Sequence, residues 1–400
     1  MKRFGCFLIV LMMAAPAWSA AKKITVQELK DMLTQMQQQK KSDEEVATAL
    51  KQVELTEQMT PDALNTLGSL VPGQQSLAQM YVLESRSAML PPPPSEIPND
   101  PAPDAAGQKA LLDKASDYVS KTYGQLPDLT ATKTTIRFQD SMDVVQSSSG
   151  MHSSASEVDT NFGLGNSPQF FRLINVANSA IESNGGVEKM PTAKDTVAWG
   201  RNGYIALEEQ GPVLTTVLSE AQNTGKFSWV RWEMVNGKKT AVFAFTVDKK
   251  KSRYAVNYCC FPDTEQAGMM SYSMPKAGGG SAPSSTNATA KGNLQTNTNW
   301  KNYKATVPYH GELFINADTG IVVRLINDAD FKSSEVVHQE DTRIDYGPVT
   351  VGDKALVLPV KTIVDTEVVP NGEDTAGKFT VRHTLFYTEY KNYQIASAAH

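Results

Sequence analysis

The residues best suited to chemistry in this sequence are two adjacent cysteines, Cys259 and Cys260. They stand at the end of a predicted strand, where successive side chains point to opposite faces. One interpretation is a vicinal disulfide that acts as a redox or conformational switch. It requires a distorted peptide, because Cα atoms about 3.8 Å apart lie below the usual disulfide range. The other interpretation is one buried thiol and one thiol at the surface or the sheet rim, and the sequence leaves both open.

Histidines and acidic residues show no catalytic or metal-binding pattern. The five histidines are His152, His310, His338, His383 and His400. None of them pairs with another at a metal-ligand spacing such as H-x-x-x-H. His338 lies close to Glu340 and Asp341, which we interpret as a solvated acidic turn. The sequence contains no G-x-S-x-G, H-E-x-x-H or P-loop motif. We therefore predict no catalytic residue, no metal site, no cofactor and no enzymatic activity.

The composition is that of a soluble globular chain. Hydrophobic residues make up 40% and charged residues 20% of the 400 residues, and the formal net charge is −5. The charge pattern contains no basic stripe, so we expect no nucleic-acid partner. Cys259 and Cys260 are too few to form a disulfide framework.

The first twenty residues have the pattern of a cleaved signal peptide. Lys2 and Arg3 precede an apolar stretch over residues 4–15, and small residues follow near Ala20. Cys6 lies inside the apolar stretch and not at the cleavage site, so we predict no lipobox. No later stretch reaches the roughly 18 apolar residues of a transmembrane helix. The sequence predicts a periplasmic or secreted mature protein with no transmembrane segment.

The mature chain divides into two parts around a proline-rich linker. Residues 22–90 predict a small helical module, because Thr25 with Glu28 and Ser42 with Glu45 form capping boxes ahead of apolar stripes. Residues 91–103 contain seven prolines and predict a stiff extended linker. Residues 104–395 predict a sheet domain with a mobile Gly/Ser/Thr/Asn-rich loop at 277–299.

The sheet domain shows a period of two that is interrupted by helices. A helix is predicted over 105–123 and another after Gly211-Pro212. Consecutive strands are joined by short turns, of which Asn236-Gly237 is typical of a tight hairpin. Hairpins in succession indicate an antiparallel meander, and helices on one face make the fold class α+β.

Two resemblances follow from particular segments. The run 232–258 and the hairpin 313–324, with its Asp318-Thr319-Gly320 turn, resemble the periplasmic lipoprotein-carrier fold of LolA, LppX and RseB. That resemblance implies a strongly curved half-barrel sheet around packed helices, with an apolar cavity for acyl chains or a protein tail. The segment 211–218 and the strand that ends in Cys259-Cys260 are similar to secreted proteins of acidobacteria.

The sequence therefore predicts an exported, non-enzymatic binding protein of the cell envelope. Its hydrophobic ligand, a lipid or a lipoprotein acyl chain, would lie on the concave sheet face. The candidate lining residues are Leu214, Leu218, Trp232, Phe243, Phe245 and Val256. The alternative is an interaction or sensor protein whose module 22–90 docks an envelope protein and which has no cavity. A hydrolase with dispersed residues is a third hypothesis.

Overall fold

The structure is a computed structural model that describes residues 21–123, 125–139, 171–184, 187–189, 205–206, 214–224, 227–262, 300–332, 335, 337–368 and 382–396. The predicted signal peptide at 1–20, Gly211-Pro212 and the predicted loop at 277–299 lie outside these residues. None of the described helices combines the length and the apolar character that a membrane span requires.

Residues 22–90 form the four predicted helices, but the expectation of an all-α module is wrong because two short strands pair within it. Its elements are β1 (Lys22–Ile24), α1 (Val26–Gln38), α2 (Asp43–Lys51), β2 (Val53–Leu55), α3 (Pro61–Gly68) and α4 (Gln74–Ser87). Both predicted capping boxes are confirmed, with Thr25 capping α1 and Ser42 capping α2. The apolar stripes of the four helices pack together with the short parallel pair β1–β2 in a core of their own.

One large antiparallel sheet dominates the rest of the described chain. Its strands are β3 (Leu129–Gln139), β4 (Arg172–Asn184), β5 (Val187–Glu188), β7 (Ser228–Val235), β8 (Lys238–Val247), β11 (Tyr309–Asn316), β12 (Val322–Ala329), β13 (Val337–Val351), β14 (Lys354–Val368) and β15 (Arg382–Ile395). Their spatial order is β5-β4-β3-β15-β14-β13-β12-β11-β8-β7. The edge strands β5 and β7 are not paired with each other within the described residues, so the sheet is open. The predicted hairpin turn is confirmed, because Asn236 and Gly237 both have positive φ.

One strand that the period-two pattern assigns to the large meander belongs instead to a second, smaller sheet. It contains β6 (Ile205–Ala206), β9 (Ala255–Pro262) and β10 (Trp300–Thr306) in the order β10-β9-β6. In the large sheet, β8 pairs directly with β11, from Tyr309 opposite Val247 to Asn316 opposite Thr240. The chain therefore leaves the large sheet after β8 and returns to it at β11.

Helices cover both faces of the large sheet. The α5–α6 face carries α5 (Ala105–Tyr123) and α6 (Leu214–Thr224), which pack on β8, β11, β12 and β13 around the main core. The opposite face, here called the module face, carries the helical module, with α4 crossing β14 and β15. The predicted combination of an antiparallel sheet with packed helices is thus confirmed.

The module is fixed to the sheet by buried polar contacts. Glu84 of α4 pairs with Lys361 of β14, and Gln58 accepts a hydrogen bond of 3.3 Å from Arg324 of β12. The proline-rich linker passes the β7 edge of the sheet, where the indole of Trp232 donates to the Pro101 carbonyl at 3.0 Å. The linker therefore joins a module on one face to α5 on the other, and it contacts the sheet along its way.

Candidate functional site

The residues that the sequence predicts as a cavity lining do meet in space. Leu214, Leu218, Phe243, Phe245 and Val256 are buried in one core with α5, and Trp232 packs at its margin. Each of the five is at most 4% exposed. Side chains of α5 and α6 therefore occupy the space above these strands. A ligand in contact with these residues would have to displace a packed core.

The cysteine pair lies where the sequence predicts, near the end of a strand. Strand β9 runs through both residues, and Cys259 stands opposite Ile205 of β6. The vicinal disulfide and the separate thiols both remain predictions.

An open apolar groove lies elsewhere, on the module face between α4 and the β3–β4 pair. It has a volume of about 400 Å³. Its large apolar lining residues are Leu77 and Tyr81 of α4, Ile136 and Phe138 of β3, Phe171 just before β4, and Leu173 and Val176 of β4. Leu173 and Val176 are each 48% exposed, which is unusual for large aliphatic side chains so close together.

Two features of the chain form this groove. The register between β3 and β4 shifts by one residue, because Phe138 pairs with Leu173 while Arg137 pairs with Asn175. Such a bulge brings Leu173 and Val176 to the same face, although they are three positions apart. The amide of Gln79 in α4 donates to the Phe171 carbonyl at 3.3 Å and fixes the helix above this surface. Because the bulge breaks strict alternation, sequence periodicity could not have identified the groove.

A row of titratable residues runs across the module face beside the groove. His310 of β11, Asp328 of β12, Asp341 of β13 and Asp365 of β14 stand directly opposite one another on successive strands. Residues paired in this way point to the same face with Cβ atoms about 5 Å apart. Asp365 is hydrogen-bonded to His383 of β15. The interpretation of 338–341 as a solvated turn is therefore wrong, because these residues lie inside a strand.

The electrostatics of this row favour a bound proton. Burial, together with the nearby carboxylates of Asp328 and Asp365, raises the pKa of Asp341 to about 7. Burial also raises the pKa of Asp328, although His310 opposes that shift. On the other face, buried Glu340 accepts a hydrogen bond from the Tyr254 hydroxyl. Among the described residues, no group of three or more His, Cys, Asp or Glu side chains has the arrangement of a metal site.

A contact between two aromatic rings, those of His383 and Phe171, connects the row to the groove. The imidazole of His383 meets the ring of Phe171 edge-on, with ring centroids 4.9 Å apart. Phe171 is 2% exposed and forms part of the groove floor. Asp365, His383 and Phe171 thus connect the carboxylates to the apolar surface.

Comparisons with known proteins give little to set beside this geometry. No protein-family model matches the chain, and no curated protein matches it. Among solved structures, it is similar to a DUF1329 family protein from Desulfovibrio piger, determined at 1.75 Å resolution. That likeness covers 73% of this chain and 94% of the other, with 9% sequence identity and a TM-score of 0.26. So remote a likeness carries no argument about fold or function.

Proposed function

We propose that this chain is an exported, non-enzymatic binding protein of the cell envelope and that it holds a hydrophobic ligand in the groove between α4 and β4. The ligand class is an acyl chain of a lipid or a lipoprotein. The proposal retains the predicted signal peptide and the predicted half-barrel curvature of a lipoprotein-carrier sheet. It moves the ligand from the α5–α6 face, where the predicted lining is a packed core, to the module face.

The observation that carries the proposal is the exposed apolar floor of the groove. Leu173 and Val176 are half-exposed beside the buried rings of Phe138 and Phe171. The groove volume falls within the range of roughly 300–1,000 Å³ that is usual for small-molecule sites. Each methylene of an acyl chain that leaves water contributes about 0.8 kcal/mol, so a chain laid along this floor would bind favourably.

A second candidate is a protein-interaction or sensor protein without a ligand cavity. The dense packing of Leu214 and Leu218 of α6 against the core that contains Phe243 of β8 favours it, because this packing leaves the predicted cavity lining covered by protein. In that case the exposed side chains of β4 would contact a protein partner.

Native mass spectrometry with lipid extraction, applied to the purified full chain, tests both candidates. Binding of N-phenyl-1-naphthylamine, a neutral apolar fluorophore, provides the quantitative assay. Leu173→Asp and Val176→Asp should each weaken its binding by about tenfold or more, since a buried charge opposes apolar contact. Ile395→Asp is the matched control, because Ile395 is an exposed aliphatic residue on β15 (55% exposed) that does not line the groove.

The outcomes separate the hypotheses. Co-purified lipid that is lost in Leu173→Asp but kept in Ile395→Asp supports the carrier. Probe binding that Leu173→Asp and Val176→Asp leave unchanged places the ligand outside the groove. A protein with no lipid and no probe binding, but with a stable protein complex, favours the sensor.

A further inference from the structure

We propose that ligand binding in the α4–β4 groove is linked to proton uptake by the carboxylate row Asp328–Asp341–Asp365, through His383 and Phe171. This inference rests on the proposed function, because it describes the regulation of the same groove. The protonated row would hold the groove floor in its binding form, and loss of the proton would weaken binding.

The row is the first element of the linkage. Asp341 stands directly opposite Asp328 on one side and Asp365 on the other, so three carboxyl groups share one face of three adjacent strands. Like charges directly opposite each other destabilise a sheet. A carboxyl group between two others therefore retains its proton more readily, and burial of Asp341 acts in the same direction.

The contacts of Asp365 are the second element. Asp365 bonds to His383, and His383 packs edge-on against Phe171 in the groove floor. The guanidinium of Arg86 lies over the same Phe171 ring, 5.6 Å from its centroid. A shift of Asp365 away from an ionised Asp341 would move His383 and so change the position of Phe171. These contacts are a continuous physical path of the kind that can couple two sites.

Other titratable groups border the row and must be considered with it. They are His310 and Asp330, whose side chains lie 3.1 Å apart, His338 and Glu367 at 3.7 Å, Glu312 of β11, and Glu340 on the opposite face of β13. A test must therefore separate Asp341 from the histidines.

The linkage is a proton balance with a definite sign. Near neutral pH, where Asp341 is partly ionised, ligand binding draws a fraction of a proton from solvent onto Asp341, and ligand release returns it. Because coupling is reciprocal, the ligand raises the proton affinity of the row as much as the proton raises the affinity for the ligand. Raising the pH through neutrality should therefore release the ligand.

The test measures N-phenyl-1-naphthylamine affinity from about pH 5.5 to about pH 8.5, a range in which this probe does not titrate, on the full chain. In the wild type, Kd should increase about fivefold or more, with a midpoint near the pKa of about 7 of Asp341. Asp341→Asn should bind tightly at every pH. Asp353→Asn should behave as the wild type, because Asp353 is exposed in the β13–β14 turn. Probe binding at neutral pH should take up protons in the wild type and not in Asp341→Asn.

Each contrary result has a distinct meaning. A wild-type Kd that does not change with pH, or a slope that survives in Asp341→Asn, overturns the linkage but leaves the groove intact. Probe binding that is absent at every pH overturns both the linkage and the proposed function. If Asp341→Asn does not fold, Asp328→Asn should lower the midpoint by removing one neighbouring charge, and an unchanged midpoint would refute the linkage.

Discussion

Replacement of Lys361 by methionine should weaken the packing of the helical module on the sheet and lower the free energy of unfolding. Glu84 of α4 is fully buried, and one of its carboxylate oxygens is bonded to the Lys361 ammonium. Its second oxygen, Oε2, has no hydrogen-bond partner in the described part of the chain. Lys361→Met would therefore leave a buried carboxylate without its cation.

The expected cost follows from this geometry. Breaking a buried ion pair by removing one partner costs about 3–5 kcal/mol, since the remaining charge stays out of water. Lys361 also lies 3.8 Å from Asp345, but Asp345 keeps Arg324 at 2.7 Å and Arg343 at 2.9 Å. The double variant Glu84→Gln/Lys361→Met removes both charges and should regain most of the lost free energy of unfolding.

Urea unfolding, followed by tryptophan fluorescence and far-UV circular dichroism, measures these changes. Lys109→Met is the matched control, because its pair with Asp113 is exposed and should contribute less than about 0.5 kcal/mol. A loss of less than about 1 kcal/mol in Lys361→Met would refute the reasoning, and so would a double variant no more stable than the single one.

Three further predictions concern stability. Asp341 has a pKa of about 7 in the folded protein, against an ordinary value of 3.8. Between these two pH values the folded state holds a proton that the unfolded state has released. The free energy of unfolding should therefore fall as pH rises from about 4 to about 7. Asp341→Asn should remove that fall and stabilise the protein by about 2–4 kcal/mol at pH 8 in urea titrations. Leu218 of α6 is buried in the main core, so Leu218→Ala should lower the free energy of unfolding by about 2–5 kcal/mol in the same assay. An unchanged free energy of unfolding would place α6 on the surface. Gly320→Ala should lower Tm, because Gly320 has φ +74° and its added Cβ would lie 2.7 Å from the Lys114 Cβ of α5; an unchanged Tm would show that this turn tolerates a side chain.

Features decided by local contacts could be predicted from the sequence. The Thr25 and Ser42 caps need partners only three residues away, and both are present. The Asn236-Gly237 turn needs only residues that tolerate positive φ. The pairing of β8 with β11 joins residues that are more than sixty positions apart in the sequence, and no local pattern distinguishes it from pairing of β8 with β9. The groove and the carboxylate row depend on a bulge and on cross-strand register, which sequence periodicity does not reveal.

The charged residues inside β12–β14 show most clearly where strand patterns mislead. Arg324, Arg343, Asp345 and Lys361 each lie between apolar residues or between an apolar residue and a threonine, a pattern typical of a solvated sheet face. In the structure they are largely buried beneath the module. Burial alone would raise the pKa of Asp345, but the charges of Arg343, Arg324 and Lys361 hold it well below its usual range. A buried charge is strongly destabilising unless its partner lies in contact with it, so paired charges permit only one docking position of the module. Apolar side chains can pack against one another in several positions. We infer that this face specifies the position in which the module docks, while the apolar cores supply most of the stability.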